Sequence, residues 1–251
     1  MLRIAGQTIW VLFLTLLTQI GGLAWLIALP FRRRLAVFAL AYAGLSVGAL
    51  WAAPLMGRVP LSCLADGSLQ VGSWVYCALN RNYVTPAMKT VLVDTAEAVD
   101  KAYPGTQTLV LDANFPFLNG FPLLPHLSHD DGEKVDLAFY YRDASGYLPG
   151  RTRSPIGYFA FEDGPTQCPG ALLSLRWDFA ALQPLWPDLA PEPERLRFVV
   201  GQLVADERVG RIFLEPHLVE RFALADPKIR FQGCRAARHD DHLHFDLRAE
   251  R

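Results

Sequence analysis

Two uncharged apolar runs open the chain, Thr8 to Leu29 (22 residues) and Leu35 to Gly57 (23 residues). About 20 helical residues, at ~1.5 Å each, cross a bilayer core. Each run therefore predicts a transmembrane helix, and Pro30–Arg34 a tight turn between them. The first run is too long for the apolar region of a signal peptide, lacks a small-residue cleavage site and leads straight into the second. Trp10, Trp25 and Trp51 fall towards the ends of the runs, where aromatic rings anchor at headgroups. After Gly57 the pattern becomes that of a mixed domain. Thr85-Pro86 reads as N-cap and first helical residue of a helix reaching about Tyr103, with Val91, Ala98 and Ala102 inward and Pro104-Gly105 as the stop. Gln107–Asp112 predicts a buried strand, Val135–Tyr141 a second and Ile156–Phe161 a third. Residues 163–193, rich in proline, predict irregular structure. Glu192–Glu207 predicts a helix, Arg211–Glu215 a strand, Pro216–Ala225 a short helix and residues 242–248 a last strand. There is no internal repeat.

Charge divides the chain at the same place. Residues 1 to 65 hold five arginines (Arg3, Arg32, Arg33, Arg34 and Arg58) and no acidic residue, and the remainder is mildly acidic. That balance excludes the basic footprint of a nucleic-acid binder. Short arginine-rich loops stay cytoplasmic, so the turn is expected inside, the N-terminus outside and residues 58–251 outside. In a bacterium, outside is the periplasm or the cell exterior. All four cysteines (63, 77, 168 and 234) lie on that exported, oxidising side, and four cysteines allow three pairings. Cys63–Cys77 would close a local loop; Cys168–Cys234 would then tie the middle of the domain to the segment before His239. No close C-x-x-C pair suggests a cysteine-based metal site.

Candidate chemistry is concentrated in two stretches, Pro125–Asp136 and His239–His244, which hold five of the six histidines. In the last strand His242, His244 and Asp246 alternate with Leu243, Phe245 and Leu247. Strand side chains alternate faces, so the apolar three are expected in the core and the polar three on one cleft. Two histidines so placed stand about 6.5–7 Å apart at Cα and can address one metal. His129 and Asp136 flank a turn at Gly132. With one histidine of the last strand they make two imidazoles and a carboxylate, the set of a mononuclear zinc hydrolase with its fourth position open to water. Taken alone, each stretch also reads as surface polar residues. His217 suits capping or packing. Arg142, Arg151 and Arg153 suit solvated loops, or a clamp for a substrate carboxylate.

The stretch His126-Leu-Ser-His129-Asp-Asp-Gly132-Glu-Lys-Val-Asp136 resembles the zinc motif of the penicillin-insensitive murein endopeptidases, His-x-Ser-His-x-x-Gly-x-x-x-Asp. His239-Asp240-Asp241-His242-Leu243-His244 is similar to that family's His-Asp-x-His-x-His. The wider group takes in lysostaphin-type peptidases, D-Ala-D-Ala peptidases and the hedgehog N-domain. The resemblance implies that His129, Asp136 and His244 hold Zn2+, that His242 acts on the water or the oxyanion, and that His126 and His239 are auxiliary. It covers roughly Thr106 to Leu247 in order of elements, but residues 137–196 carry no likeness, and members of that family are secreted without a two-helix anchor. The expectation is an α+β protein: a two-helix transmembrane hairpin (residues 1–57), then an extracytoplasmic zinc-peptidase domain (58–251, zinc core about 106–248) with a central, mainly antiparallel sheet. It would sit in a bacterial inner membrane and cleave peptidoglycan stem peptides. A D-Ala-D-Ala carboxypeptidase or a non-catalytic zinc-binding recognition domain are the alternatives.

Overall fold

A computed structural model describes residues 2–169 and 174–249. The first apolar run is two helices rather than the single span expected, α1 (Leu2–Thr18) and α2 (Gly21–Ala28). Gln19 takes a left-handed conformation, φ +66°, and reverses the chain. Two glycines let the helices close up: a Cβ on Gly22 would lie 2.7 Å from the Val11 carbonyl oxygen, and one on Gly21 2.6 Å from the Thr18 hydroxyl. The Thr15 and Thr18 hydroxyls donate to the carbonyls of Val11 and Leu14 (2.8 and 3.0 Å), and Trp25 donates to Gln7 Oε1 (2.7 Å). This antiparallel return brings Leu29 back beside Ile4 and Thr8, in one groove with Arg34. The start of α1 therefore lies at the arginine-turn end, not at the opposite end as two full spans would require.

Helix α3 (Arg34–Ala52) continues through a 3-10 turn, Ala53–Met56. Arg34–Met56 has mean hydropathy 1.9 with only 6 % of its apolar window buried, which a core helix would not show; among the described residues it is the one helix long and apolar enough to cross a membrane. Such a helix near an N-terminus is a membrane anchor or a signal sequence. Gly57, at φ +77°, ends it in the left-handed cap that glycine favours.

The rest is a mixed α+β domain. Its short strands and helices are β1 (Val59–Pro60), β2 (Leu69–Val71), α4 (Trp74–Ala78), β3 (Tyr83–Val84), α5 (Pro86–Ala102), β4 (Thr108–Val110), β5 (Lys134–Ala138), β6 (Tyr141–Asp143), β7 (Gly146–Tyr147), β8 (Ala190–Pro191), α6 (Pro193–Ala205), β9 (Val209–Phe213), α7 (Pro216–Arg221), β10 (Ile229–Arg230) and β11 (His242–Leu247). The main sheet runs β10-β9-β11-β5-β4-β2, with its three central pairings antiparallel and its two outer ones parallel. Small β1–β3 and β7–β6–β8 sheets flank it. Thr85 caps α5, its hydroxyl accepting from the Met88 amide (3.2 Å), and Glu192 caps α6 through the Arg195 amide (2.8 Å). Met88, Val91, Leu92 and Val99 of α5 and Leu196, Val199, Val200 and Leu203 of α6 pack on one sheet face against Val135, Leu137, Leu243 and Phe245. Burying each such side chain contributes about 1.5–3 kcal/mol. The opposite face is left for the polar members of β5 and β11.

The expected strand at Ile156–Phe161 does not form. Phe159 sits at φ +62°, and its amide donates to Asp241 Oδ2 (2.6 Å) instead of entering a ladder. The segment is a loop laid across the histidine-bearing face. Two disulfides, Cys63–Cys77 and Cys168–Cys234, take up all four cysteines, as suits an oxidising compartment.

Candidate metal centre

Strand register creates the site. β11 and β5 are antiparallel with His244 directly opposite Asp136 and His242 opposite Ala138. Alternation sends Val135, Leu137, Leu243 and Phe245 to the core, and Asp136, His242 and His244 to the other face. The third partner comes from the loop before β5. His129 Nδ1 donates to the Ala113 carbonyl (2.7 Å), so Nε2 of the neutral ring carries a lone pair. That nitrogen lies 3.0 Å from His244 Nδ1 and 3.3 Å from Asp136 Oδ1, and His244 Nδ1 lies 2.8 Å from the same oxygen. With metal–ligand bonds of about 2.0–2.2 Å, tetrahedral ligand atoms stand about 3.3 Å apart. The three edges match a single small cation. All three side chains are buried, at 0 %, 0 % and 2 % exposure for His129, Asp136 and His244.

A second metal-capable group, His126, Asp136 and His242, uses the other carboxylate oxygen. Its edges are uneven, with His126 Nδ1 2.7 Å and His242 Nε2 3.7 Å from Asp136 Oδ2. That oxygen already accepts from the Tyr158 hydroxyl at 2.5 Å. The more even first group is the better cradle for a cation. His242 is oriented separately: its Nδ1 donates to Asp241 Oδ1 (2.5 Å), and its Nε2 is buried without a hydrogen-bond partner. A neutral imidazole held from behind by a carboxylate, its free nitrogen beside the cradle, is placed to take a proton.

The electrostatics follow from burial and proximity. Burial opposes the Asp136 carboxylate, but His129, His126 and His242 outweigh it and hold its pKa well below the usual range. Burial likewise opposes charge on His126, yet Asp136 and Asp112 push it up to about 10. Burial pushes His244 down to about 4 against the pull of Asp136. Burial, reinforced by His242 and His244, holds His239 far below an ordinary histidine. A neutral His244 is the form that ligates a metal. Asp112 is buried and held by a two-pronged ion pair with Arg81.

The cleft is a cavity of about 160 Å³ lined by Pro125, His126, Leu127, Ser128, Leu175, Gln232, Ala236, Ala237, His239 and His244. His239 stands behind the strand histidines, ring centroids 4.9 Å from His242 and 5.4 Å from His244. Asp246 shares the polar face but not the site, because Arg211 takes its carboxylate from both backbone and guanidinium (2.8 Å each). His217 packs under Gly164 with neither ring nitrogen hydrogen-bonded. Arg153 pairs with Glu162 (3.3 Å), Arg142 is exposed on β6, and neither these nor Arg151 lines the cavity. Sequence reasoning passed over Asp241 and Tyr158. Asp241 had a signal, being adjacent to His242; Tyr158 had none, since only the loop path brings it to Asp136. No protein-family model matches the chain, and no curated protein is significantly similar to it.

Proposed function

We propose that the protein is a membrane-anchored zinc metallopeptidase that hydrolyses peptidoglycan stem peptides as a murein endopeptidase, in the bacterial inner membrane with its domain in the periplasm. The observation that carries the reading is the convergence of His129 Nε2, His244 Nδ1 and Asp136 Oδ1 beside the free Nε2 of His242. These three residues would hold Zn2+, which when bound supplies Lewis-acid polarisation of the scissile carbonyl and an acidified water. His242 takes the proton of the attacking water at Nε2 and returns it to the leaving amine, while Asp241 fixes the tautomer and steadies the imidazolium. Tyr158 and His126 hold the second oxygen of Asp136, so the carboxylate keeps one orientation. His239 stays neutral and packs the strand histidines in place.

Mass spectrometry of purified muropeptides incubated with the zinc-loaded full chain in detergent tests the reading. Conversion of cross-linked dimers to monomers is expected. Loss of one terminal alanine would mean carboxypeptidase, and unchanged muropeptides alongside tight zinc binding would mean a recognition domain.

A further inference from the structure

The loop that carries two of the site histidines is unusual for a surface segment. From Ala113 to His129 it holds no Asp, Glu, Lys or Arg. Yet Leu118, Leu124 and Leu127 are 54 %, 49 % and 47 % exposed. An exposed cluster of large apolar side chains marks a contact surface, and the position of this one names its partner. Phe117 packs with Ala49 and Ala53 at the domain end of the apolar helix, and its amide donates to Gln19 Oε1 (2.9 Å) at the α1–α2 reversal. Asn119 accepts from Arg58, the residue after the glycine that ends the helix. The Leu124 carbonyl accepts from Arg81 (2.9 Å), whose neighbour Asn80 donates to Tyr42 and Ser46 on α3 (2.9 and 3.1 Å). The Ala78 carbonyl of α4 accepts from Tyr42 (2.7 Å), and Trp74 at the head of α4 is 78 % exposed.

These contacts fix a depth. Ser46 and Tyr42 lie ten and fourteen residues before Met56, about 15 and 21 Å along the helix axis at ~1.5 Å per residue. A bilayer core of about 30 Å occupies most of Arg34–Met56. The parts of the domain that touch Tyr42 and Ser46 therefore reach the middle of the core, and the loop packed beside them lies in the outer leaflet, where a charged side chain is costly and a leucine or tryptophan is not. The composition of the loop agrees with that depth, and the triple arginine lies at the other end of the helix.

We propose that the loop 113–129 is a lipid-contact surface: Leu118, Leu124, Leu127 and Trp74 rest in the outer leaflet of the bilayer that α3 crosses. Because Pro125, His126 and Leu127 line the cavity, the cavity opens at the lipid surface. Gly132 lies against the Arg58 guanidinium, and His129 is three residues away, at most about 11 Å along the chain. Resting on the peptidase reading above, the substrate class is then a stem peptide held at the membrane, on a lipid-anchored or membrane-attached strand, rather than a peptide diffusing freely.

The test uses the full chain in phosphatidylethanolamine–phosphatidylglycerol vesicles containing lipids with a nitroxide quencher near the headgroup. L118C, L124C and L127C carry a fluorophore one at a time; the native cysteines are in disulfides and do not react. R230C on β10, at the sheet edge opposite β2, is the reference. Quenching at least threefold above the Arg230 label is expected at all three leucines. Quenching equal to that reference overturns the proposal, as does a signal that ignores the quencher and follows protein concentration, which would mean contact between copies. A second arm compares a cross-linked stem-peptide dimer tethered to lipid with the same dimer in solution. At least tenfold higher kcat/KM for the tethered form is expected, and equal rates overturn the substrate class. Quenched leucines with neither dimer cut would support the lipid contact and overturn the peptidase reading.

Discussion

On the proposed reading, His242 and His244 share one strand face but differ in role. The His244 Nδ1 edges of 2.8 and 3.0 Å belong to the cation cradle, whereas His242 turns its Nδ1 to Asp241. Replacing His244 by Ala is expected to abolish tight zinc binding and to lower domain stability with it, because metal binding is coupled to folding. Replacing His242 by Ala should keep about one zinc per chain and cut hydrolysis by about 10²–10⁴-fold. Atomic emission and muropeptide turnover on both variants separate the roles; a His242→Ala protein of normal activity would show that the proton acceptor is elsewhere. Asp241→Asn should also retain zinc yet lose activity on a similar ~10²–10⁴ scale, since it removes the acceptor that fixes the His242 tautomer. A buried pair braces the other side of the site. Burial opposes the Asp112 carboxylate, but Arg81 outweighs it and lowers its pKa below the usual 3.8. A lowered carboxylate contributes stability above its unfolded pKa and loses it as pH falls through the folded value. Arg81→Met should cost about 3–5 kcal/mol near neutral pH by leaving a buried charge unpaired. The difference from wild type should shrink in acid, as pH falls through the lowered pKa and Asp112 protonates. Urea titrations of the chelated proteins at the two pH values measure both quantities.

Elements differ in how openly the sequence declares them. α5 and α6 were legible because cap, apolar period and stop coincide, and the structure moves their ends by only a residue or two (Pro86–Ala102 and Pro193–Ala205). β11 was legible because alternation put its histidines and leucines on opposite faces; Leu243 and Phe245 join the core while His242 and His244 face the site, although all four are buried. β1, β2, β3 and β10, of two or three residues, are too short to show a period and carry no signal in the sequence, whereas the equally short β4 lies inside the apolar run Gln107–Asp112. Ile156–Phe161 failed for another reason. Its composition is that of a strand, but Phe159 is held in a left-handed turn by groups distant in sequence. The reversal at Gln19 was hidden inside an uninterrupted apolar run, with only Gly21-Gly22 to mark it. Of the site, residue types and order were readable, while Tyr158, Asp112 and the bracing Arg81 depend on tertiary contacts. The loop between His129 and Asp136 turns at Gly132, at φ +85°, with the Arg58 guanidinium where a Cβ would be. Gly132→Ala should therefore cost at least ~1–2 kcal/mol for the backbone alone, and more for the displaced arginine. Zinc affinity should drop at least tenfold, and competition with a chromophoric chelator measures it.

For the molecule as a whole, the three N-terminal helices and the domain are one piece. Gly57 and Arg58 leave no linker between the apolar helix and β1, and Arg58 is buried at 2 % exposure. With the arginine turn inside, residues 58–251 are expected outside and the start of α1 inside. A periplasm-only reporter fused after Arg251 and a cytoplasm-only reporter fused before Met1 should both be active; activity from the opposite pair would reverse the orientation. The Cys168–Cys234 bond has a consequence for timing. It joins two segments whose neighbours, Leu175, Gln232, Ala236 and Ala237, form one wall of the cavity, whereas His129, Asp136 and His244 stand on the sheet and its preceding loop. The wall is thus finished by oxidation and the metal cradle by folding. On the reading proposed above, a chain still in a reducing cytoplasm would have its candidate cradle assembled without a completed cleft, and export would supply the oxidation that closes the wall.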